Sequence, residues 1–367
     1  MENKRYDKLN QQLTEWFKLG HDKNILQSLY SQANLKESEL VDRSEDIRQE
    51  TMFSNLTDQE LLERYEKKYF NKYTNRELKH LFQESHNRFM KDSGIQVTRN
   101  VLVKNDEKEK NAIGWVYSDR DLLFMNKYFI NRGKENTDYP RLVNDKSIGK
   151  IVLKTLLHET KHNIQYEDAI DFALGNKQEQ DRAFAGALMI VNNSNFNIAW
   201  SKSNEEYERY VTHWQDNYNY HAYEQEANYC SNERIIKYFG KDFKNMKPDY
   251  AQALAQNAHA VFRFNATGVR ELDQELINER VNKVVEYAKY QLDYFEKNTT
   301  ECPIRERVLQ TMHSYIDADE KGHSPLRDRI EREVNEMYDQ FTQSIAFLRK
   351  QKKSDKTQKL QEEVLYY

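Results

Sequence analysis

Only 10 glycines and 4 prolines interrupt the 367 residues of this chain. Both residue types end or break helices, so their scarcity predicts long helices as the default structure. Charged residues make up 32% of the chain, hydrophobic residues make up 38%, and the mean hydropathy is -1.01. Such a composition is typical of amphipathic helices with broad solvated faces, and unlike that of a buried parallel sheet.

The stretch after Gly94 departs from the helical pattern. It contains short runs of β-branched and aromatic residues at 95–98, 101–103, 114–117 and 122–125. Runs of this kind, separated by polar residues and glycine, are typical of strands. They predict one small β-sheet in a chain that is otherwise helical.

Helical patterns flank this β region on both sides. They predict an N-terminal helical region at 1–93, a core at 94–240 and a C-terminal helical region at 241–367. Within the first region, Thr57 followed by Asp58 is a helix start signal. The predicted fold class is therefore mainly α with a small β-sheet, with helical extensions at both ends.

Charge and cysteine content narrow the function classes. The 56 basic and 60 acidic residues are spread along the chain and give a formal net charge of -4, which indicates neither a nucleic-acid partner nor an anionic membrane. The N-terminus lacks an apolar signal core, and no stretch approaches the roughly 18 apolar residues that cross a bilayer. Two cysteines far apart, Cys230 and Cys302, fit a reducing compartment. We predict a cytoplasmic protein and leave its oligomeric state open.

Residues 158–162 read His-Glu-Thr-Lys-His and match the H-E-x-x-H motif. Apolar residues at spacings of three and four place the motif in a helix that runs to about residue 166. Residues i and i+4 share one helix face, so His158 and His162 can bind one Zn²⁺ while Glu159 lies beside the open coordination position. There Glu159 can accept a proton from water and pass it to a leaving amine. The motif predicts a zinc site with Glu159 as general base.

A site of this kind requires a third protein ligand. The metzincin pattern would place glycine and histidine where this chain has Gln165 and Asp168, so that subclass is excluded. A second helix, predicted at about 220–239, carries Glu224 and Glu226, and either carboxylate could complete the site. The residues alone leave this choice open.

Three further residues near the second motif are candidates for supporting roles. Asn228 lies one helical turn beyond the first glutamate and could hold the far ring nitrogen of His158, which would fix its tautomer. Tyr220 and His213 are candidate donors to the oxyanion of a tetrahedral intermediate. The segment 174–219 between the two motif helices contains a polar run and many aromatic residues, and we predict a loose lid or substrate wall there.

The H-E-x-x-H motif at 158–162, followed by Glu-Gln-Glu-Ala-Asn at 224–228, resembles the gluzincins, and most closely the ImmA/IrrE-like intracellular peptidases. The stretch 114–126 is similar to the edge strand that leads into their active-site helix. The resemblance covers about residues 94–240 and implies an α+β zincin core with Glu224 as the third ligand. It also implies a peptide substrate aligned on the edge strand, and limited cleavage of a protein partner.

Three functions remain open at this stage. The first is a zinc-dependent endopeptidase that acts on a protein or peptide substrate. The second is a zinc-binding, non-catalytic interaction or regulatory protein built on the same gluzincin core. An intact Glu159 favours the first, because metal binding alone needs no general base. The third is a helical scaffold or nucleic-acid-associated protein without metal, and the mixed charge and the absence of a basic cluster before the C-terminal tail count against it.

Overall fold

The structure, a computed structural model, describes residues 51–95, 100–104, 114–117, 122–126, 130, 148–239, 274–299, 301, 303–317, 323–337 and 339. The other parts of the three predicted regions lie outside the described residues. Within the described residues, helices predominate and one small sheet is present, so the predicted fold class is confirmed.

The described helices are, in chain order, α1 Asp58–Glu63, α2 Lys67–Phe70, α3 Asn75–Asp92, α4 Ile148–Ala173, α5 Gln180–Lys202, α6 Asn204–Asp216, α7 Ala222–Phe239, α8 Gln274–Asn298 and α9 Pro303–Ile316. A 3₁₀ helix, Tyr218–Tyr220, joins α6 to α7, and a further helical segment spans 325–337. The strands are β1 Asn100–Lys104, β2 Gly114–Tyr117 and β3 Leu122–Asn126.

The first helices begin where their sequences predict. The Thr57 hydroxyl accepts a hydrogen bond from the Glu60 N–H, and the Glu60 carboxylate accepts one from the Thr57 N–H, at the start of α1. Thr74 and Glu77 repeat this reciprocal arrangement at the start of α3. Each pair satisfies backbone donors that a helix start leaves unpaired. The predicted start signal at 57–58 is therefore confirmed.

The sheet has β3 as its central strand. β3 runs parallel to β1, with Val101 opposite Leu123, and antiparallel to β2, with Gly114 opposite Met125. The side chains of Val101, Leu123 and Met125 are buried, and α3 and α4 pack against the sheet. The strands predicted at these positions are confirmed, whereas 96–99 lie outside the described residues.

The helix α4 continues well beyond its predicted end near residue 166. Its charged later turns face a neighbouring helix instead of solvent, since Asp168 is buried and pairs with Arg182 of α5 at 2.6 Å. The helix stops where Gly175 adopts a φ of 71° and donates its N–H to the Phe172 carbonyl. Glycine adopts a positive φ without strain, which makes it a common helix terminator.

The expectation of a loose segment at 174–219 is wrong, because α5 and α6 occupy most of it. The polar run that suggested a loop lies inside α5 and is used in packing. The Asn192 side-chain oxygen accepts hydrogen bonds from the indole N–H of Trp214 and from the amide of Gln291, each at 3.2 Å. The Asn195 amide donates to the Gln291 carbonyl at 2.9 Å. These partners replace the water that such residues would otherwise bind.

One hydrophobic cluster extends through the described elements from α1 to the 325–337 helix. Helix α5 lies at its centre and contacts α4, α6, α8 and α9. The described parts of the three predicted regions thus share one core, and the boundaries between those regions stay a prediction. None of the described helices has a stretch long and apolar enough to span a membrane.

Candidate metal centre

Two packed helices, α4 and α7, bring the predicted ligands together. His158 and His162 lie on one face of α4, and Glu224 lies in the first turn of α7. The two histidine Nε2 atoms are 3.1 Å apart. The Glu224 carboxylate oxygens lie 3.1 Å from His158 Nε2 and 3.4 Å from His162 Nε2. Among the described residues, this is the group of side chains that could hold a metal ion.

The spacing of these atoms suits a tetrahedral ion. Ligand atoms bound at about 2.0–2.1 Å to a tetrahedral centre lie about 3.3–3.4 Å from each other, close to the observed separations. Glu224 Oε2 is buried and faces His158 Nε2 at 3.1 Å. A buried carboxylate is costly unless a positive partner lies beside it, and a metal ion held between Glu224 and the two imidazoles would supply that charge. The cluster fits a metal ion by both donor type and geometry.

The electrostatics of the cluster favour charge on its members. Burial opposes the charge of His162, but the adjacent Glu224 raises the pKa of His162 to about 9. Burial likewise opposes the charge of Glu224, yet His162 and His158 hold the pKa of Glu224 well below its ordinary range. Glu224 is therefore a carboxylate at neutral pH, the state in which it binds a cation.

Glu159 lies on the same helix as the two histidines and faces the cavity beside them. Burial is the main influence on its carboxyl group and raises the pKa of Glu159. A raised pKa makes a carboxylate a better proton acceptor than an exposed one. The structure thus places the predicted general base next to the predicted ligands.

The second glutamate of the α7 motif points away from the histidine pair. Glu226 forms ion pairs with Lys161, at 3.0 Å, and with Arg329 of the 325–337 helix. Burial opposes its charge, but Arg329 and Lys161 hold the pKa of Glu226 at about 2. Of the two glutamates that the residues left open, Glu224 joins the cluster.

The far nitrogen of His162 has a partner that the sequence analysis missed. His162 Nδ1 lies 2.8 Å from the Gln165 side-chain oxygen, one turn further along α4. The helical spacing of three residues is the signal that could have found Gln165. Asn228, which was expected to hold His158, is half-buried on α7, and its side chain makes no hydrogen bond to His158 within the described residues.

Neither candidate oxyanion donor lines the cavity beside the cluster. Tyr220 lies beneath the Arg280 guanidinium, 4.5 Å from ring centroid to charge, and His213 packs against the Tyr290 ring at 4.3 Å. Tyr218 does line the cavity. Although 39% of Tyr218 is exposed, desolvation of its hydroxyl and the nearby Glu224 and Glu159 raise the pKa of Tyr218 above its ordinary value, so the hydroxyl stays protonated.

The cavity that contains these groups has a volume of about 370 Å³. Glu159, His162 and Glu224 line one part of it, and Gly114 of β2 also lines it. Its other walls come mainly from α5, α6 and the 3₁₀ helix and are formed by Tyr166, Met189, Asn192, Asn193, Phe196, Trp214, Tyr218 and Tyr223. A volume of this size is typical of ligand-binding sites.

The buried His221 forms hydrogen bonds to two residues that line the cavity, Trp214 and Tyr223. His221 Nε2 lies 3.2 Å from the Trp214 carbonyl, to which it can only donate, and His221 Nδ1 therefore accepts from the Tyr223 hydroxyl at 2.8 Å. Burial lowers the pKa of His221 to about 4, so the ring is neutral at physiological pH. This neutral ring fixes Tyr223, whose own ring contacts His162 edge to face.

Comparison of the chain with models of protein families, with curated proteins and with solved structures finds no match. The resemblance to gluzincins stays a prediction that rests on the motifs. Any functional conclusion has to be argued from the site itself.

Proposed function

We propose that this protein is a zinc-dependent endopeptidase of the gluzincin type. The observation that carries the proposal is the convergence of His158, His162 and Glu224 at 3.1–3.4 Å, with Glu159 beside them in an open cavity. Two imidazoles and one carboxylate form the ligand set of catalytic zinc sites that keep one coordination position open. The position of Glu159 supports catalysis over metal storage, since an adjacent base adds nothing to metal binding.

Each group around the cavity has a role in this mechanism. A bound zinc ion would supply Lewis-acid polarisation of the scissile carbonyl and of the attacking water. Glu159 takes the proton of that water and passes it to the leaving amine. The Tyr218 hydroxyl, which its raised pKa keeps protonated, donates a hydrogen bond to the scissile carbonyl oxygen as that oxygen becomes negative in the transition state.

The shape of the site favours an extended peptide as substrate. β2 is at an outer edge of the three described strands, and its Gly114 borders the cavity. A peptide that adds to this edge by backbone hydrogen bonds would run directly past Glu159. The cavity has room for a short stretch of side chains and none for a folded domain, which favours limited cleavage in an exposed segment of a partner protein.

The proposal is tested with a mixture of unstructured peptides and with mass spectrometry of the products. Zinc-loaded native protein should cleave within the peptides, and Glu159→Gln should lower the rate by about 10²–10⁴-fold while zinc stays bound. Asp171→Asn is the matched control, since it makes the same chemical change on the same helix about three turns away. Stoichiometric zinc without cleavage that depends on Glu159 would contradict the proposal and support a non-catalytic zinc protein.

A further inference from the structure

We propose that Gln165, Glu226 and Arg329 are positioning residues of the metal centre. They form a buried chain of polar contacts that fixes which ring nitrogen of His162 carries the proton. Because Arg329 belongs to the 325–337 helix, metal affinity would depend on a segment far from the motif in sequence. The inference rests on the metal site of the proposed function and concerns residues to which that function assigns no role.

The chain begins at the metal cluster and ends at the 325–337 helix. His162 Nδ1 lies 2.8 Å from Gln165 Oε1, and Gln165 Nε2 donates to Glu226 Oε2 at 2.7 Å. Glu226 Oε1 pairs with both Lys161 and Arg329. Gln165 is fully buried, and both Glu226 and Arg329 are less than a tenth exposed. Contacts this deeply buried are little weakened by solvent.

The charge of Glu226 determines how the Gln165 amide is oriented. An amide has a donor end and an acceptor end, and the two orientations fill the same space. Here one end faces the Glu226 carboxylate and the Tyr223 carbonyl, which both accept, at 2.7 and 3.1 Å. Only the amide nitrogen can occupy that end without repulsion. The Gln165 oxygen is thereby turned toward His162.

The orientation of Gln165 in turn selects the tautomer of His162. An oxygen at 2.8 Å from Nδ1 accepts a hydrogen bond, so Nδ1 carries the proton and donates. When metal binding removes the second proton of His162, the lone pair is left on Nε2, the atom that faces His158 and Glu224. A neutral imidazole binds metal through the nitrogen that lacks the proton. Glu226 thus presets His162 for metal binding.

Lys161 and Arg329 make Glu226→Gln an informative substitution. Lys161 and Arg329 both donate to the Oε1 position of Glu226. In Glu226→Gln they hold the new amide oxygen at that position, which leaves the amide nitrogen facing Gln165. Two donors would then meet, and only the Tyr223 carbonyl would still favour the native orientation of Gln165, so the amide is no longer held in one orientation. Whenever the amide is flipped, its nitrogen faces His162 Nδ1 and stabilises the wrong tautomer, with the proton on the metal-binding nitrogen.

The test is zinc affinity of the full chain, measured by competition with a chromogenic chelator. Glu226→Gln should weaken zinc binding by about 10–100-fold, the usual effect of losing a group that orients a ligand histidine. Gln165→Met, which removes the acceptor and adds no charge, should weaken binding by a similar factor. Arg182→Gln is the control, because it removes a partner of Asp168 on the same helix without touching this chain of contacts.

The exchange variant, with Gln165→Glu and Glu226→Gln together, separates positioning from simple damage to the core. In this variant the carboxylate at position 165 accepts a hydrogen bond from His162 Nδ1, and the amide at position 226 donates to that carboxylate. The variant should therefore recover most of the zinc affinity that Glu226→Gln loses. If the exchange variant does not fold, the zinc affinity of Gln165→Met alone tests the inference. Native affinity in both Glu226→Gln and Gln165→Met, or no recovery in a folded exchange variant, would overturn the inference. A native chain that binds no zinc would overturn the proposed function as well.

Discussion

At the scale of single residues, burial and neighbouring charges give the cavity groups the protonation states that the proposed reaction needs. Burial raises the pKa of Glu159 and of Tyr218 and lowers that of His221. At neutral pH the cavity therefore offers a protonated phenol as donor and a neutral imidazole as a fixed support. Groups with shifted pKa values of this kind concentrate at functional sites.

Replacement of Tyr218 by phenylalanine tests the oxyanion donor. Tyr218→Phe should lower kcat by about 10²–10³-fold with little change in KM or zinc content, because the lost hydrogen bond forms in the transition state. Tyr220→Phe is the control, since its ring packs on Arg280 outside the cavity. Steady-state kinetics on a cleaved peptide give both numbers. Loss of kcat in the Tyr220 variant alone would contradict the assignment.

The buried His221 predicts a loss of stability on acidification. The unfolded chain binds a proton at this histidine below about pH 6.5, whereas the native protein does so only near 4. The contribution of neutral His221 to the free energy of unfolding is complete above about pH 6.5 and is lost as the pH falls toward 4. Between pH 7 and pH 5 the free energy of unfolding should fall by on the order of 2 kcal/mol more in the native protein than in His221→Gln. Urea unfolding with chelator present measures this difference, and equal slopes would exclude His221 as the cause.

The sequence predicted that His158 and His162 lie together, because the i, i+4 rule is a property of every helix and needs no tertiary information. The choice between Glu224 and Glu226 came from a resemblance and not from spacing, and the structure places the former in the cluster. Tyr218 and the contact of Gln165 with Glu226 depend on how helices cross, which local patterns do not encode. Tyr220 was proposed in place of Tyr218 for the same reason, since two residues along a 3₁₀ turn point about 120° apart.

At the scale of secondary-structure elements, the close crossing of α4 and α5 sets the width of the cavity. A Cβ atom added to Gly186 of α5 would lie 2.5 Å from the Asp168 carbonyl of α4 and 3.0 Å from Phe172 Cβ. Backbone atoms cannot yield to such a contact as a flexible side chain can. Met189, Asn192 and other wall residues follow on the next turns of α5, so displacement of this helix would also move the cavity wall.

Gly186→Ala should therefore destabilise the protein by about 1–3 kcal/mol, as overpacking does in well-packed cores. In an unobstructed helix the same substitution stabilises by about 1 kcal/mol, so the two cases differ in sign. Chemical denaturation of the metal-free protein distinguishes them. A rise in stability would show that α4 and α5 are not in close contact at this position.

The sequence predicted α1, the three described strands and the two motif helices, because their caps, apolar periods and β-branched runs are local signals. The prediction of a loose segment at 174–219 was wrong, because α5 and α6 occupy most of it. Residues with amide side chains usually favour loops, but here Asn192 and Asn195 form hydrogen bonds to Trp214 and Gln291 inside the helical core. Tertiary partners of this kind override local preference.

At the scale of the whole molecule, the 325–337 helix is tied to the metal site by buried charges. Arg329 pairs with Glu226 of α7 and donates to Glu333 at 2.9 Å, and all three side chains are buried. Removing one partner of a buried ion pair leaves the others without compensation for lost hydration. The described C-terminal elements therefore belong energetically to the core that holds the site.

Arg329→Met should lower the free energy of unfolding by about 3–5 kcal/mol, because it removes the ion-pair partner of buried Glu333 and leaves Glu226 with Lys161 alone. Arg327→Met is the matched control on the same helix. Its guanidinium donates to Asn282 at an exposed position, so its loss should cost less than about 1 kcal/mol. Urea denaturation of the three proteins measures both effects. Equal effects would mean that the Arg329 pairs contribute no more than a surface contact.

The most direct test of the central claim is the metal content of the untagged protein, measured by plasma mass spectrometry on the native chain, His162→Ala and Glu224→Ala. We predict about one zinc ion per native chain and its loss in both variants, because each removes one of three protein ligands. Absence of zinc after purification without chelators, together with no uptake when zinc is added, would contradict the metal centre and the peptidase function proposed from it.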